Sequence, residues 1–208
     1  MNFIKIKKNR AYHSRFQVKW RRRREGKTDY YARKRLIFQD KRKYLQPKMR
    51  LVVRISKKFI TCQYVSSLLY GDITQQGFCS RNFLKKYESS TGHGISAKNF
   101  PLAYVTGNIL AKKFTLWGLR VFNSNANLDI GLSRSTVGHK VFAVMQGAID
   151  GGINIPHNEK NFPGYNANDG FSNETLEQKI GGQHILDYRL LLAEGDEEAF
   201  NKQFNPSQ

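Results

Sequence analysis

"RLVVRIS", residues 50–56, is the stretch on which the fold turns. Leu51, Val53 and Ile55 alternate with Arg50, Val52 and Arg54, a period of two that predicts a strand with one buried and one basic face. Lys57-Lys58 supplies a turn, and "FITCQYV" (59–65) reads as its hairpin partner. Gly71-Asp72 marks another turn before a third strand around residues 73–79. The period then changes. In "SAKNFPLAYVTGNILAKKFTLWG" (96–118), Ala103, Gly107, Leu110, Phe114 and Trp117 recur at helical spacing on one face. Asn99 and Pro101 suit the start of that helix and Gly118 its end.

"ANLDIGLS" (126–133) returns as a strand, and "HKVFAVMQGAID" (139–150) is a second helix with Val141, Met145 and Ala148 on one side, stopping at Gly151-Gly152. From Ser172 to Phe204 the chain reads as one or two helices, interrupted near Gly181-Gly182 and again at Gly195. Strands followed by alternating helix and strand predict an α/β fold, a mixed β-sheet packed with helices. A basic N-terminal arm (1–48) precedes the core (49–170), and a helical C-terminal segment (171–208) follows it.

The chain has 208 residues, 39% of them hydrophobic, enough for one substantial core. Its net charge of +19 is unevenly placed. Residues 1–58 hold 22 Lys/Arg against three acids, whereas residues 59–208 hold 13 of each. A neutral body with a cationic front is a two-part molecule. Residues 1–48 have too few aliphatic side chains for their charge and are expected to depend on a partner for order. A polyphosphate is the natural partner, because neutralising phosphates releases counterions. Cys62 and Cys79 form no CxxC pair and are expected as reduced thiols. "MNFIKIKKNR" has no apolar run of the kind a secretory signal needs, and no stretch approaches a membrane span, so a soluble intracellular protein is expected.

In the arm, "TDYYARKRLIFQ" predicts a short helix capped by Thr28 or Asp29, and Pro47 marks the arm's end. The cations Lys5, Lys7, Lys8, Arg10, Arg15, Lys19, Arg21, Arg22, Arg23, Arg24, Lys27, Arg33, Lys34 and Arg35 are interleaved with Tyr12, Phe16, Trp20, Tyr30 and Tyr31. That composition fits unpaired or distorted RNA, with cations on the backbone and aromatic faces on exposed bases. A membrane helix would need an apolar face, and four adjacent arginines point to every side of a helix. The same tetrad can serve as a nuclear import signal, and a solvated basic tail is the plainer alternative.

Two further stretches carry candidate chemistry. "GLSRSTVGHKVF" (131–142) places Ser133, Arg134, Ser135, Thr136, His139 and Lys140 where a strand ends and a helix begins. Hydroxyls and backbone N–H groups there can cradle a phosphate, though residue types alone read first as an ordinary turn with capping hydroxyls. "GGINIPHNEKNFPGY" (151–165), with His157 and Lys160, is a long rigid loop of the kind that is more often functional than incidental. His157 alone has no ligand partner at metal spacing and reads as a surface hydrogen-bonder. Asp129, Asp150 and Asp187 with the histidines evoke a two-metal nuclease, but no motif forces them together, and each has an ordinary role as a cap or ion-pair partner. No cofactor or metal is expected.

"RRRREGKTDYYARKRL" (21–36), "RLVVRIS", "GLSRSTVGHKVF", "GAIDGGINIPH" and "KNFPGY" (160–165), in this order, resemble the eukaryotic large-subunit ribosomal proteins that bind 5S ribosomal RNA. In words, this is protein five of eukaryotic naming and eighteen of the universal scheme. "HILDYRLLLAEGDEEAFNKQF" extends the likeness to residue 204.

The resemblance implies a non-catalytic role: clasping 5S rRNA and anchoring it in the central protuberance. It implies RNA contacts by Arg21, Arg22, Arg23, Arg24, Lys27, Tyr30, Tyr31, Arg33 and Arg35 of the arm, by the 131–142 turn with Arg134, Ser135, Thr136, His139 and Lys140, and by the loop with His157 and Lys160. The other arm cations and aromatics named above, and Arg54, are expected as further contacts. Implied partners are 5S rRNA, large-subunit rRNA, a second 5S-binding ribosomal protein (eukaryotic protein eleven) and other large-subunit proteins, with assembly factors and an import chaperone. Implied locations are the cytoplasmic ribosome and, during assembly, the nucleus and nucleolus. The likeness departs from the family between Arg120 and Leu128, which is shortened, around residues 80–95, and after Phe204, where relatives continue into a basic helical extension. A metal-dependent RNA nuclease and a non-ribosomal adaptor with an import arm stand as the alternatives.

Overall fold

The computed structural model describes residues 7–38, 47–68, 70–91, 96–116, 125–166, 168 and 170–204. Three short helices come first: α1 (Arg10–Arg15), α2 (Arg21–Arg24) and α3 (Tyr30–Ile37). Strands β1 (Lys48–Ile55), β2 (Ile60–Leu68) and β3 (Gly71–Cys79) follow. Next come α4 (Ser80–Thr91), α5 (Phe100–Leu116), β4 (Ala126–Asp129) and α6 (Lys140–Asp150). A 3-10 turn (Glu159–Asn161) leads to a two-strand ladder, β5 (Tyr165–Asn166) with β6 (Gly170–Phe171). The described chain ends with α7 (Asn173–Gly181), α8 (Gln183–Gly195) and α9 (Glu197–Phe204).

The main sheet has the order β3-β2-β1-β4. β1 pairs antiparallel with β2 (Leu51 opposite Tyr64) and parallel with β4 (Leu51 opposite Leu128), so the sheet is mixed. The hairpin register is pinned at its turn, where Ser56 N donates to Phe59 O at 2.8 Å and Phe59 N to Ser56 Oγ at 2.9 Å. One face is apolar: Met49, Leu51, Val53, Ile60, Cys62, Tyr64 and Phe78 pack against Ala103, Leu110 and Phe114 of α5 and Val141, Val144 and Met145 of α6. Cys62 and Cys79 are free thiols, and burial pushes the Cys62 thiol up to about 12. The expected mixed α/β architecture is therefore the observed one.

Helices α5 and α6 cross at glycines. A Cβ on Gly107 would collide with the Val144 carbonyl, and one on Gly147 with the Tyr104 carbonyl, so only hydrogen at each site lets the two backbones touch. Trp117 and Gly118, expected at the end of α5, lie outside the described residues.

Several expectations are corrected. The arm holds more than the one expected helix, since α1 and α2 accompany α3, whose N-cap is Asp29, one of the two residues expected. The strand expected over 126–133 ends at Asp129, because Gly131 adopts φ 65° and turns the chain. Helix α4 has no counterpart in the sequence reading: β3 runs straight into it with no breaker, at Ser80, whose Oγ accepts from Ile60 N at 3.0 Å. The loop 151–165 is less irregular than expected, for the 3-10 turn lies within it and Ile153, Ile155 and Phe162 are core residues. The helical tail resolves into three helices, divided at both expected places.

The face of β1 opposite the core is not the free basic surface its alternation predicts. Arg50 is only 4% exposed. Its Nη1 donates to Asp129 Oδ2 at 2.6 Å, its Nη2 to Asp72 Oδ2 at 2.5 Å, and its Nε to Ser67 Oγ at 3.3 Å. A buried guanidinium needs such partners, because an unpaired charge out of water costs several kcal/mol.

Candidate nucleic-acid interface

None of α1, α2 and α3 buries a residue, so the arm is held by polar contacts. Asn9 caps α1 by accepting from Tyr12 N at 2.8 Å, and Asp29 caps α3 by accepting from Tyr31 N at 2.9 Å. Helix α2 is the arginine tetrad itself, and its one turn aims the four guanidiniums outward in different directions. Arg21 Nε and Lys27 Nζ both donate to the Glu25 carboxylate, which they hold below the usual range, with Arg21 the larger cause. Arg22 Nε donates to Thr28 Oγ1 at 2.9 Å and Arg24 Nε to Lys19 O at 3.0 Å, whereas Arg23 is exposed.

The arm aromatics form pairs that remain open to solvent. Trp20, 71% exposed, meets Tyr30 edge-on with centroids 4.7 Å apart. Tyr12 and Phe16 lie 5.8 Å apart, and the Arg35 guanidinium sits 4.2 Å over the Tyr31 ring while donating to its hydroxyl. Such rings are available for stacking on bases, which have a π-face whatever their sequence.

Helix α3 is fastened to the sheet through charge. Arg33 Nη2 donates to Asp72 Oδ2 at 2.7 Å, the same oxygen that receives Arg50. Lys48 Nζ donates to Arg35 O at 2.7 Å. Burial by itself would raise the Asp72 carboxyl, but the hydrogen bond from Arg33 and the charges of Arg50 and Arg33 outweigh it, and the group lies below its ordinary value. Between arm and sheet opens a cleft of about 760 Å³, lined by Arg22, Lys27, Tyr30, Tyr31, Arg33 and Arg35 from one side and by Arg54, Leu128, Asp129 and Gly131 from the other.

Arg54, expected as a contact from the core, does reach this cleft, but it is not a free cation. Its Nη2 donates to Asp129 Oδ1 at 2.8 Å, and its Nη1 to the Asp129 and Val53 carbonyls at 2.8 and 2.9 Å. Gly131 N also donates to Asp129 Oδ1, at 3.0 Å. Both Asp129 oxygens therefore accept from donors, the ion-pair role expected of this acid. Asp150 is likewise bound locally, accepting from Tyr104 and Gln146, and Asp187 accepts from Gln183. Among the described residues no three His, Cys, Asp or Glu side chains gather as a metal site would require.

The turn 131–142 starts on the cleft wall at Gly131 and ends in α6. Arg134, Ser135 and Thr136 are exposed, while His139 and Lys140 are half-buried. The cap of α6 is not one of the expected hydroxyls: His139 Nδ1 accepts from Val141 N at 3.3 Å, so the neutral ring carries its proton on Nε2. Burial, then Lys140, depresses the His139 pKa; burial, then Lys98, depresses that of Lys140.

Lys98 was not among the expected contacts, since no local pattern links it to a residue 42 positions away. The loop joins this turn at Gly138, whose N donates to Asn161 O at 2.9 Å. His157 and Lys160 are exposed, and His157 Nδ1 donates to Ile155 O at 2.8 Å, the surface hydrogen bond expected of it. Lys7, Lys8, Arg10, Arg15, Lys19 and Lys34 are exposed; Lys5 lies outside the described residues.

Comparison with known proteins fits this geometry. A family model described as "Ribosomal large subunit proteins 60S L5, and 50S L18" matches residues 14–117 and 118–158. The chain is 43% identical over 229 aligned residues to the large ribosomal subunit protein uL18 of Toxoptera citricida, covering 99% of this chain and 75% of that protein. It is 44% identical over 229 residues to the uL18 of Drosophila melanogaster, with the same shares covered. With a family model spanning most of the chain and relatives aligned almost end to end, the chain belongs to the uL18 family, the structural, non-catalytic proteins of the large ribosomal subunit.

Proposed function

We propose that this ribosomal protein binds 5S rRNA and anchors it in the central protuberance of the large subunit. The observation that carries the reading is the cleft in which Arg22, Lys27, Arg33 and Arg35 meet Tyr30 and Tyr31 against the sheet edge. Guanidinium forks and phenol faces on one wall suit a folded RNA whose backbone and unstacked bases are presented together. The arm residues expected from the sequence, with Lys5 among them, supply the phosphate contacts. Arg134, Ser135, Thr136, His139, Lys140, His157 and Lys160 extend the surface along the turn and loop that Gly138 and Asn161 join. Arg54 serves chiefly as the floor of the cleft, given its bonds to Asp129.

In this reading residues 1–48 are the RNA-binding arm, 49–170 the core and 171–208 a helical appendage. The second 5S-binding ribosomal protein, large-subunit rRNA, assembly factors and an import chaperone are its further partners, and it passes through the nucleus during assembly. The test is to isolate the protein at moderate salt and sequence the RNA that accompanies it. Recovery of 5S rRNA is expected, and its absence overturns the reading.

A further inference from the structure

Helix α8 (Gln183–Gly195) carries Ile185, Leu186, Leu190, Leu191 and Leu192, yet none of its residues is buried. Leu186, Leu190 and Leu191 are 51%, 62% and 65% exposed. They lie on neighbouring turns of one side, since residues 186 and 190 are four apart and 191 adjoins them. The other side already has an occupant. Tyr188 and Arg189 face α9, where the Tyr188 ring meets Phe204 and the Arg189 guanidinium lies 5.6 Å over Phe200 and 5.9 Å over Phe204. An isolated helix of this length is marginal in water, so its leucine side is expected to find cover.

The charge of the segment says what kind of cover. Residues 183–204 hold five acids (Asp187, Glu194, Asp196, Glu197, Glu198) against Arg189 and Lys202, in a chain whose net charge is +19. Of the two cations, Arg189 is spent on the α9 rings. RNA is repelled by such a surface, and an anionic lipid equally so.

We infer that the Leu186–Leu190–Leu191 side of α8 docks a basic, aliphatic-bearing segment of another protein of the large subunit. Leucines take the apolar side chains, and Asp187 and Glu194, which fall between Leu190 and Leu191 around the helix, meet the Lys/Arg groups. The inference is independent of the 5S reading, resting only on membership of the ribosome.

The test places a photo-crosslinking benzoyl-phenylalanine at Leu191 of the full chain, in cells whose large subunits are then purified, irradiated, treated with ribonuclease and analysed by mass spectrometry. The expected adduct is to a Lys/Arg-rich peptide of another ribosomal protein. Leu186→Glu with Leu190→Glu should reduce that adduct about tenfold or more while leaving thermal unfolding and 5S rRNA retention unchanged. Adducts confined to RNA, to this chain, or to a second copy of it overturn the proposal. So does the absence of any adduct, or a yield unmoved by the two glutamates.

Discussion

Asp72 and Asp129 show how acids serve a cation-rich surface. Asp72 Oδ2 receives both Arg33 and Arg50, while Asp129 receives Arg50 and Arg54, so three arginines alternate with two aspartates in one chain of ion pairs that links helix α3 to the sheet. The carboxylates orient guanidiniums that would otherwise repel one another. Asp129→Ala leaves a buried Arg50 without one of its two charge partners and should cost about 3–5 kcal/mol, measurable by urea unfolding. Asp72→Asn should free α3 without unfolding the core, so that trypsin cleaves at Arg33 and Arg35 several-fold faster while core fragments persist.

Acid should act in the same direction. The Asp72 carboxyl lies below its ordinary value in the folded protein, so its contribution is complete above about pH 4 and fades as pH falls through that lowered value. Arm cleavage by an acid-active protease should rise over that window in the native protein and be flat in Asp72→Asn. None of this was legible in "RLVVRIS". Alternation correctly separates the two faces of a strand, but it cannot reveal that partners 22 and 79 residues away will cover the basic one.

Among the elements, α5 and α6 are the pair whose packing least tolerates change. At their crossing Gly107 and Gly147 bring backbone against backbone, with no flexible side chain to yield. Gly107→Ala or Gly147→Ala should therefore destabilise by about 1–3 kcal/mol or more, despite alanine's better helix propensity. Gly181→Ala is the control: a Cβ there meets nothing within 4 Å, and its effect should stay within about 0.5 kcal/mol in a melting comparison.

The periodicity of residues 103–114 locates α5 and places Gly107 on its packed face, though not its close approach to α6. Helix α4 was illegible for a different reason. Among its described side chains Phe83 and Leu84 pack on the core, and with Tyr87 they make only one helical turn of apolar residues in the sequence, too short a run to declare a period. No glycine or proline separates it from β3.

At the scale of the whole molecule, charge is partitioned: a strongly cationic front, then a remainder from residue 59 that is neutral overall because its acidic helical end offsets a mildly basic core. RNA affinity should accordingly fall steeply with salt, with a log–log slope several units in size. Replacing Arg21, Arg22, Arg23 and Arg24 by Ser should flatten that slope by up to about three units, at roughly 0.7–0.9 for each phosphate no longer neutralised, in filter-binding titrations. The division into a cationic front and a neutral remainder was legible from composition alone, as was the aromatic interleaving of the arm, whereas the acidic end was not singled out. The path by which the front joins the core was not, because it depends on Asp72, which lies in a segment that reads only as a turn.

That junction has a thermodynamic consequence. Helices α1, α2 and α3 bury nothing, whereas the sheet and α5 and α6 share one apolar interior. Heat should therefore take the molecule apart in two events rather than one. The first is small, carries little heat-capacity change because little apolar surface is released, and shifts downward with added salt. The second is cooperative and largely indifferent to salt. In calorimetry the ribosomal protein would behave as a firm body with a separately melting grip.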